Sequence, residues 1–150
     1  MGQSLSQQYI HIIFGTKNRQ PYINEEIAPS LHAYIAGILK NLESPAIKIN
    51  SMPDHIHILF RLSKNLALSK AAEEIKKNSS KWMKEQGVKD FTWQIGYGAF
   101  SVSSYKLNVV INYIANQQEH HAQKNFQEEV EEFFKESGVI EYDSKYFWAE

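Results

Sequence analysis

The spacing of apolar residues along the chain predicts four strands. Each of the four segments is rich in β-branched or aromatic residues, and residues typical of turns lie next to it. The two middle segments flank the turn sequence Ser51-Met52-Pro53-Asp54, so they are expected to pair as a hairpin. Gly96 and Gly98 in the fourth segment indicate a bend or the close approach of another segment. The predicted strands are residues 9–14, 46–50, 55–62 and 91–100.

Between and after these strands, apolar residues recur three and four positions apart, which is the spacing of a helix with one buried face. Asn24 is a suitable cap for the first helix, and Ser103 or Ser104 for the third. The second helix has a basic outer face, and the fourth is short and acidic. Helices are therefore predicted over residues 24–42, 66–86, 103–121 and 128–136, and an aromatic tail follows at 142–148.

The order of these elements is β-α-β-β-α-β followed by further helices, which is the order of the ferredoxin-like split βαβ motif. We therefore predict an α+β fold that has an antiparallel sheet, helices on one face of it and a C-terminal helix that carries Tyr113. The opposite face of the sheet then needs another cover or a ligand. No repeat or linker divides the chain, so one domain is expected over residues 1–150, with a core at about 9–121 and an acidic, aromatic extension at about 122–150.

The composition is that of a globular protein, with 43% hydrophobic and 22% charged residues, and it excludes an intrinsically disordered chain. The absence of cysteine excludes disulfide scaffolds, thiolate metal sites and cysteine nucleophiles. The first residues lack the charged and apolar regions of a signal peptide, and no run of about 18 apolar residues occurs. We therefore expect a soluble protein that is not exported and has no membrane partner.

Charge is distributed unevenly along the chain. Residues 119–150 carry nine acidic and three basic side chains, whereas residues 1–118 carry 13 basic and eight acidic ones. The basic excess is concentrated in and around the second predicted helix. This stretch is either an ordinary solvated helix face or a surface that contacts a phosphate backbone. The candidate DNA-contacting residues are Arg61, Lys64, Lys70, Lys76, Lys77, Lys81 and Lys84.

The sequence His55-Ile56-His57 lies at the start of the third predicted strand. Because side chains alternate along a strand, the two imidazoles are expected to point together, away from the core that Ile56 faces. Two histidines in this relation can bind a divalent ion. Taken alone the pattern is weak, since it is also typical of histidines that are only hydrogen-bonded or exposed.

Tyr113 and Gln117 are four residues apart on the third predicted helix, which places them one turn apart on the same face. His120 and His121 continue roughly along that face. A phenol beside an amide that could complete a metal site suits covalent phosphoryl chemistry with a tyrosine nucleophile. The same helix is also compatible with a half-buried tyrosine that has polar neighbours.

Three blocks occur in one order along the chain: Met52 to Leu59 with the two histidines, Trp93 to Val102, and Tyr113 to His121 with Gln117. Together they resemble the HUH single-tyrosine transposases, which are the small insertion-sequence and REP-associated enzymes that move single-stranded DNA. The resemblance extends from about Tyr9 to His121. The acidic helix and the aromatic tail are the parts that it explains least.

The resemblance implies a role for each matching residue. His55 and His57 would be the HUH pair, Gln117 the third metal ligand and Tyr113 the nucleophile. The implied cofactor is Mg²⁺ or Mn²⁺, and Mn²⁺ is the easier match to two imidazoles. The residues that could support the site without binding the ion are Asp54, His120 and His121. His11 and His32 match no catalytic position, so we interpret both as structural.

The resemblance also implies an activity and partners. The protein would be a metal-dependent transposase that recognises hairpins in single-stranded DNA and cleaves and rejoins strands through a 5′-phosphotyrosine. It would act as a two-fold homodimer with composite sites, in a bacterial or archaeal cytoplasm and at the nucleoid.

Two other functions remain open. One is a non-catalytic domain that binds single-stranded nucleic acid, although such a platform would have aromatic residues where His55 and His57 stand. The other is a metal-dependent phosphohydrolase, which would use water and would not need Tyr113. The helix at 128–136 is expected to dock with a solvated acidic face, or else to compete with DNA for the basic surface.

Overall fold

The computed structural model describes residues 2–121, 124–139 and 141–149. Its strands are β1 (Gln8–Gly15), β2 (Ala46–Met52), β3 (His55–Leu62) and β4 (Gly98–Val102). Its helices are α1 (Ala28–Asn41), α2 (Leu68–Glu85), α3 (Leu107–Ala115), α4 (Gln117–His121), α5 (Phe126–Glu136) and α6 (Ser144–Phe147), and single 3₁₀ turns lie at Lys17–Arg19 and Ser104–Lys106. Within these residues, no helix is both long enough and apolar enough to cross a bilayer.

The four strands form one antiparallel sheet in the order β2-β3-β1-β4. β1 lies in the middle and pairs with β3 along its whole length, from Gln8 opposite Leu62 to Gly15 opposite His55. Each βαβ unit therefore has a strand of the other unit between its two strands. This arrangement confirms the predicted α+β fold of the ferredoxin-like split βαβ type.

One face of the sheet packs against a mostly apolar core. Alternate residues of β1 and β3 point towards α1 and α2, because successive side chains of a strand lie on opposite faces. The helices meet them with apolar residues at helical spacing. The fully buried members of this core include Ile12, Phe14, Ile56, Ile58, Phe60, Leu31, Ile35, Leu39, Ala71 and Ile75.

The opposite face is covered by the C-terminal part of the chain. Phe126, Val130 and Phe134 of α5 form a second buried cluster with Ile13 of β1. α3 lies along β2, where the side-chain amide of Asn50 donates to the carbonyl oxygen of Ile114 at 2.8 Å. The second cover that the sheet was expected to need is therefore supplied by the chain itself.

The last predicted strand was placed too early in the sequence. β4 begins at Gly98, and the preceding segment is a loop whose Trp93 makes one isolated bridge to Thr16. Lys76 stabilises this loop, because its Nζ donates to the backbone carbonyl oxygens of three consecutive residues at 2.8 to 2.9 Å. Those residues are Gln94, Ile95 and Gly96.

Several predicted helix boundaries also differ from the structure, and the first helix begins at Ala28 rather than at Asn24. The helix expected over 103–121 is divided at Asn116 into α3 and α4, and Ser103 makes no capping hydrogen bond with its side chain. The acidic helix begins earlier than expected. The Asn125 side chain accepts a hydrogen bond from the Glu128 backbone N–H at 2.9 Å, and the two residues form a capping box.

Candidate active site

His55 and His57 lie on the face of β3 that points away from the apolar core, as the strand alternation predicted. Both imidazoles are fully buried, because the C-terminal part of the chain covers this face of the sheet. They lie beneath α5, whose Phe126 ring stacks on His55 with ring centroids 4.2 Å apart. The histidine pair is therefore at the bottom of a covered site.

Glu129 of α5 completes a cluster with the two histidines. Its Oε1 is 3.1 Å from His57 Nε2 and 3.5 Å from His55 Nε2, and the residue is only 4% exposed. One ligand atom from each of the three residues lies within 4.8 Å of the others. This geometry is compatible with a bound metal ion.

Glu129 was not predicted from the sequence, because the carboxylates of this helix were expected on a solvated face. The helix does dock, but Glu129 is on its buried side. A signal was present, since Glu129 lies three residues after Phe126 and four before Phe133, on the apolar stripe of the helix. An acidic residue within such a stripe indicates a buried partner.

Asp54 supports His55 from the side opposite Glu129. Its Oδ1 is 2.7 Å from His55 Nδ1. Burial lowers the pKa of His55, but the hydrogen bonds and negative charges of Asp54 and Glu129 outweigh burial and raise it. This contact is compatible with the predicted supporting role of Asp54, which stays a prediction.

Tyr113 projects from α3 over the same face of the sheet. Its hydroxyl donates to Oε2 of Glu129, and its ring centroid is 5.8 Å from that of His57. Burial and the negative charge of Glu129 raise the pKa of the Tyr113 phenol well above its ordinary value. Tyr113 therefore lies beside the histidines of its own chain, and its phenol keeps its proton.

Gln117 is the first residue of α4 and is fully buried. Its Nε2 donates to the backbone carbonyl oxygen of Tyr113 at 3.3 Å, so the predicted one-turn relation survives the break at Asn116. Its buried Oε1 has no hydrogen-bond partner among the described residues. A buried acceptor left in this way suggests a missing donor or cation.

The other histidines differ in their placement. His11 of β1 is buried, and its Nε2 is 2.9 Å from Nδ1 of His57. Burial and the neighbouring His57 lower the pKa of His11 well below its ordinary value. His32 belongs to α1 and contacts Ser51 Oγ at 2.7 Å. The side chains of His120 and His121 lie outside the part of the chain that the structure describes.

The candidate DNA-contacting residues are not brought together with this cluster. Most belong to α2, which covers the opposite face of the sheet. Lys76 is engaged by the loop before β4, and Lys70 and Lys77 form ion pairs with Glu74. Arg61 is exposed and follows the two histidines at alternate positions along β3, which places it on their face of the sheet.

The donor set suits a divalent ion of the first transition row. Two imidazole nitrogens and a carboxylate oxygen converge, and the amide oxygen of Gln117 is a fourth candidate ligand. A phenol hydroxyl lies at the same carboxylate. This combination supports covalent phosphoryl transfer better than passive binding, because the covered face offers no open platform for bases.

Comparison with known proteins gives one family match and several structural ones. A family model described as IS200-like transposase matches residues 4–117. A candidate transposase from Deinococcus radiodurans R1 has a TM-score of 0.61 and 22% identity, over 78% of this chain and 96% of that one. A REP-associated tyrosine transposase bound to a REP hairpin has a TM-score of 0.61 and 16% identity, over 81% of this chain and 72% of that one. No curated protein matches.

Proposed function

Because the chain belongs to the IS200-like transposase family, we propose that it is a metal-dependent transposase that acts on hairpin-bearing single-stranded DNA. It cleaves and rejoins strands through a 5′-phosphotyrosine on Tyr113. One observation carries the proposal. The Tyr113 hydroxyl and the His57 imidazole contact the two oxygens of the same Glu129 carboxylate, so the nucleophile and the metal ligands meet at one point.

His55 and His57 would hold the ion, with oxygen ligands from Gln117 and Glu129. Glu129 is proposed as a ligand because it lies in one cluster with the two histidines. Gln117 is proposed because its buried Oε1 has no hydrogen-bond partner among the described residues. Mn²⁺ accepts imidazole more readily than Mg²⁺, which prefers oxygen ligands. When bound, the ion would neutralise the scissile phosphate and make it more electrophilic.

Tyr113 attacks the phosphorus, and the 3′ oxygen of the upstream nucleotide leaves. A bond from Tyr113 to the 5′ phosphate forms, and a free 3′ hydroxyl remains. The phenol proton must leave during attack, and Oε2 of Glu129 already accepts a hydrogen bond from that hydroxyl. A second 3′ hydroxyl reverses the step and joins a different end, so no nucleotide cofactor is needed.

Covalent trapping tests this chemistry. A single-stranded hairpin from the DNA that flanks the gene is labelled at its 5′ or 3′ end, incubated with protein and Mn²⁺, and run on a denaturing gel. We expect the 3′-labelled fragment to migrate with the protein and the 5′-labelled fragment to be free. Tyr113→Phe should form neither product, because only the nucleophile is removed. Its rate of strand cleavage should be lower by a factor on the order of 10⁶.

Tyr105→Phe is the matched control, since Tyr105 is 93% exposed and precedes the same helix. It should cleave like the wild type. Cleavage by Tyr113→Phe that releases a free 5′ phosphate would favour a phosphohydrolase that uses water. Hairpin binding by the wild type without any cleavage would favour a non-catalytic binding domain.

We also propose that the active form is a two-fold homodimer in which α3 crosses to the partner. α3 is apolar on most of its surface, yet Ile114 is its only fully buried residue and Val109 is 61% exposed. A single 3₁₀ turn connects the helix to β4, so a small change there would redirect it. Each composite site would then take histidines from one subunit and tyrosine from the other.

Mixing two inactive variants distinguishes this arrangement from the one seen in the single chain. In a heterodimer of His57→Ala and Tyr113→Phe, sites assembled within one subunit are both broken. Crossed sites leave one pairing of wild-type histidines with wild-type tyrosine. We expect the re-equilibrated mixture to recover cleavage that neither parent shows. Continued inactivity of proven heterodimers would contradict the crossed arrangement.

The hairpin is proposed to contact basic residues on both sides of the sheet. Arg61 is on the histidine face, whereas Lys81 and Lys84 are exposed on α2. Neutralising phosphates with such residues makes affinity salt-dependent. Replacing Lys81 and Lys84 by Gln should reduce the slope of log affinity against log salt by about 1 to 2, and an unchanged slope would remove α2 from the interface.

A further inference from the structure

His11 lies in the middle of β1, next to the strand that carries the histidine pair. The register places Ile13 opposite His57, so His11 is a diagonal neighbour of His57 on the same face. Its Nε2 is 2.9 Å from His57 Nδ1 and the two rings are stacked with centroids 5.2 Å apart. The rings of Phe133, nearly perpendicular to the His11 imidazole, and of Phe100, tilted against it, have centroids 5.3 and 6.3 Å from that of His11.

Two ring nitrogens at this distance share one proton, so one of them donates and the other accepts. His57 faces Glu129 with its Nε2, on the side where the proposed ion would bind. A neutral imidazole that binds an ion through Nε2 carries its proton on Nδ1. In that tautomer Nδ1 of His57 must donate, and it faces the Nε2 of His11.

We propose that His11 is a positioning residue for the metal site. Its Nε2 accepts the Nδ1 proton of His57, and this bond holds His57 in the tautomer and ring orientation that bind a divalent ion. The inference rests on the proposed function, because it assumes an ion at His55 and His57. Partners that orient metal-binding histidines in this way commonly change metal affinity when they are removed.

The parallel with the other histidine supports this role. Asp54 holds His55 at Nδ1 with a distance of 2.7 Å, so both imidazoles are held from the side opposite Glu129. The two acceptors differ in kind, since one is a carboxylate and the other is an imidazole. Packing alone does not account for His11, because a leucine would fill the space beside Phe100 and Phe133 without the cost of burying a polar ring.

Calorimetric titration with Mn²⁺ tests the proposal without using activity. We compare the wild type with His11→Leu, which removes the acceptor, and His11→Gln, whose amide oxygen can take the place of Nε2. We expect His11→Leu to bind Mn²⁺ about 10- to 100-fold more weakly, and His11→Gln to recover most of that loss. His32→Leu is the matched control, since it removes a histidine hydrogen bond to Ser51 and should bind like the wild type.

Unchanged affinity in His11→Leu, or an equal loss in both His11 variants, would overturn the role of His11. A wild type that binds no Mn²⁺, or a His57→Ala variant that binds as tightly as the wild type, would instead refute the proposed ion site. The two failures are therefore distinguishable.

A spectroscopic measurement on the wild type keeps the test open if His11→Leu does not fold. The nitrogen chemical shifts of the imidazole rings report which nitrogen is protonated, and Mg²⁺ serves as a diamagnetic ion. We expect His57 to be protonated at Nδ1 and His11 to be unprotonated at Nε2 in the ion-bound protein. A proton on His11 Nε2 in that state would overturn the role of His11, whereas a proton on His57 Nε2 would refute the proposed ion site.

Discussion

The two faces of the sheet come from the same strands but have different interiors. Towards α1 and α2, the buried side chains of β1 and β3 are all apolar. On the other face, the same strands present His11, His55 and His57, α4 adds Gln117 and α5 adds Glu129, all of them buried. The first face is stabilised by burial of apolar area, which is not directional. The second depends on hydrogen bonds and charge pairs that have to be satisfied together.

This difference predicts that mutations on the two faces will separate stability from ion binding. Removing an apolar side chain leaves a cavity that weakens the whole fold. Removing one polar side chain from the histidine face leaves its partners buried without their hydrogen bonds, and it disturbs the site first.

The largest expected effect is on the histidine face. His57→Ala, or a chelator added to the wild type, should reduce DNA cleavage by more than about 10³-fold, because a bound ion supplies several kcal/mol of charge stabilisation. Cleavage of labelled hairpin DNA at several Mn²⁺ concentrations measures this. Full activity of His57→Ala in the presence of a chelator would contradict the metal mechanism.

The two proposed oxygen ligands can be compared by their contributions to Mn²⁺ binding. Glu129→Gln and Gln117→Ala should each weaken Mn²⁺ binding, and Glu129→Gln should do so more strongly because a negative ligand is lost, by about tenfold or more. Calorimetric titration gives both values. If only Gln117→Ala weakens binding, Glu129 is not a ligand.

On the apolar face, Ile58→Ala should lower the free energy of unfolding by about 2–5 kcal/mol, since Ile58 is fully buried in the first core. Urea unfolding measures the change. Mn²⁺ affinity, measured where the variant is still folded, should stay close to that of the wild type. A large loss of affinity would show that the two faces are not independent.

A smaller effect is expected where α5 meets the sheet. A Cβ added at Gly15 would lie 2.6 Å from Phe126 Cε2, so Gly15→Ala should displace the start of α5 and destabilise the protein by about 1–3 kcal/mol. Hydrogen exchange should show reduced protection in α5 and unchanged protection in α1 and α2. Equal loss in all three helices would mean that both faces unfold as one unit.

Gly37→Ala is the control and has the smallest expected effect. Gly37 lies within α1, and a Cβ there would meet nothing within 4 Å in the described residues. Since glycine is unfavourable within a helix, the substitution should raise the free energy of unfolding by about 0.5–1 kcal/mol. Urea unfolding measures this as well. A loss of stability would indicate a contact that the structure does not contain.

Rules that relate residues close in sequence were enough to predict much of the fold. The alternation in β3 placed His55 and His57 on one face, and helical spacing placed Gln117 one turn after Tyr113; the structure has both relations. The family match also confirms the resemblance that the three sequence blocks indicated. These properties depend on residues close in sequence, so they can be predicted without the tertiary structure.

Other features depended on residues far apart. The segment before β4 has strand-like composition, but Lys76 binds three of its carbonyl oxygens from α2 and holds it as a loop. The acidic helix has a solvated face as expected, yet docking turned Glu129 inward against His57. Neither contact can be derived from the hydrophobic pattern, because the pattern does not say which surfaces meet.

The sequence by itself determined the order of the strands and helices, the side of β3 on which the histidine pair lies, and the absence of any thiol chemistry. The tertiary structure decided that His11 and Glu129 join this pair and that the site is covered. His11 is 46 residues from His57 in the chain, and Glu129 is 72 residues from it. Contacts over such separations form only when whole elements pack, because periodicity fixes which side of an element is buried but not what it is buried against.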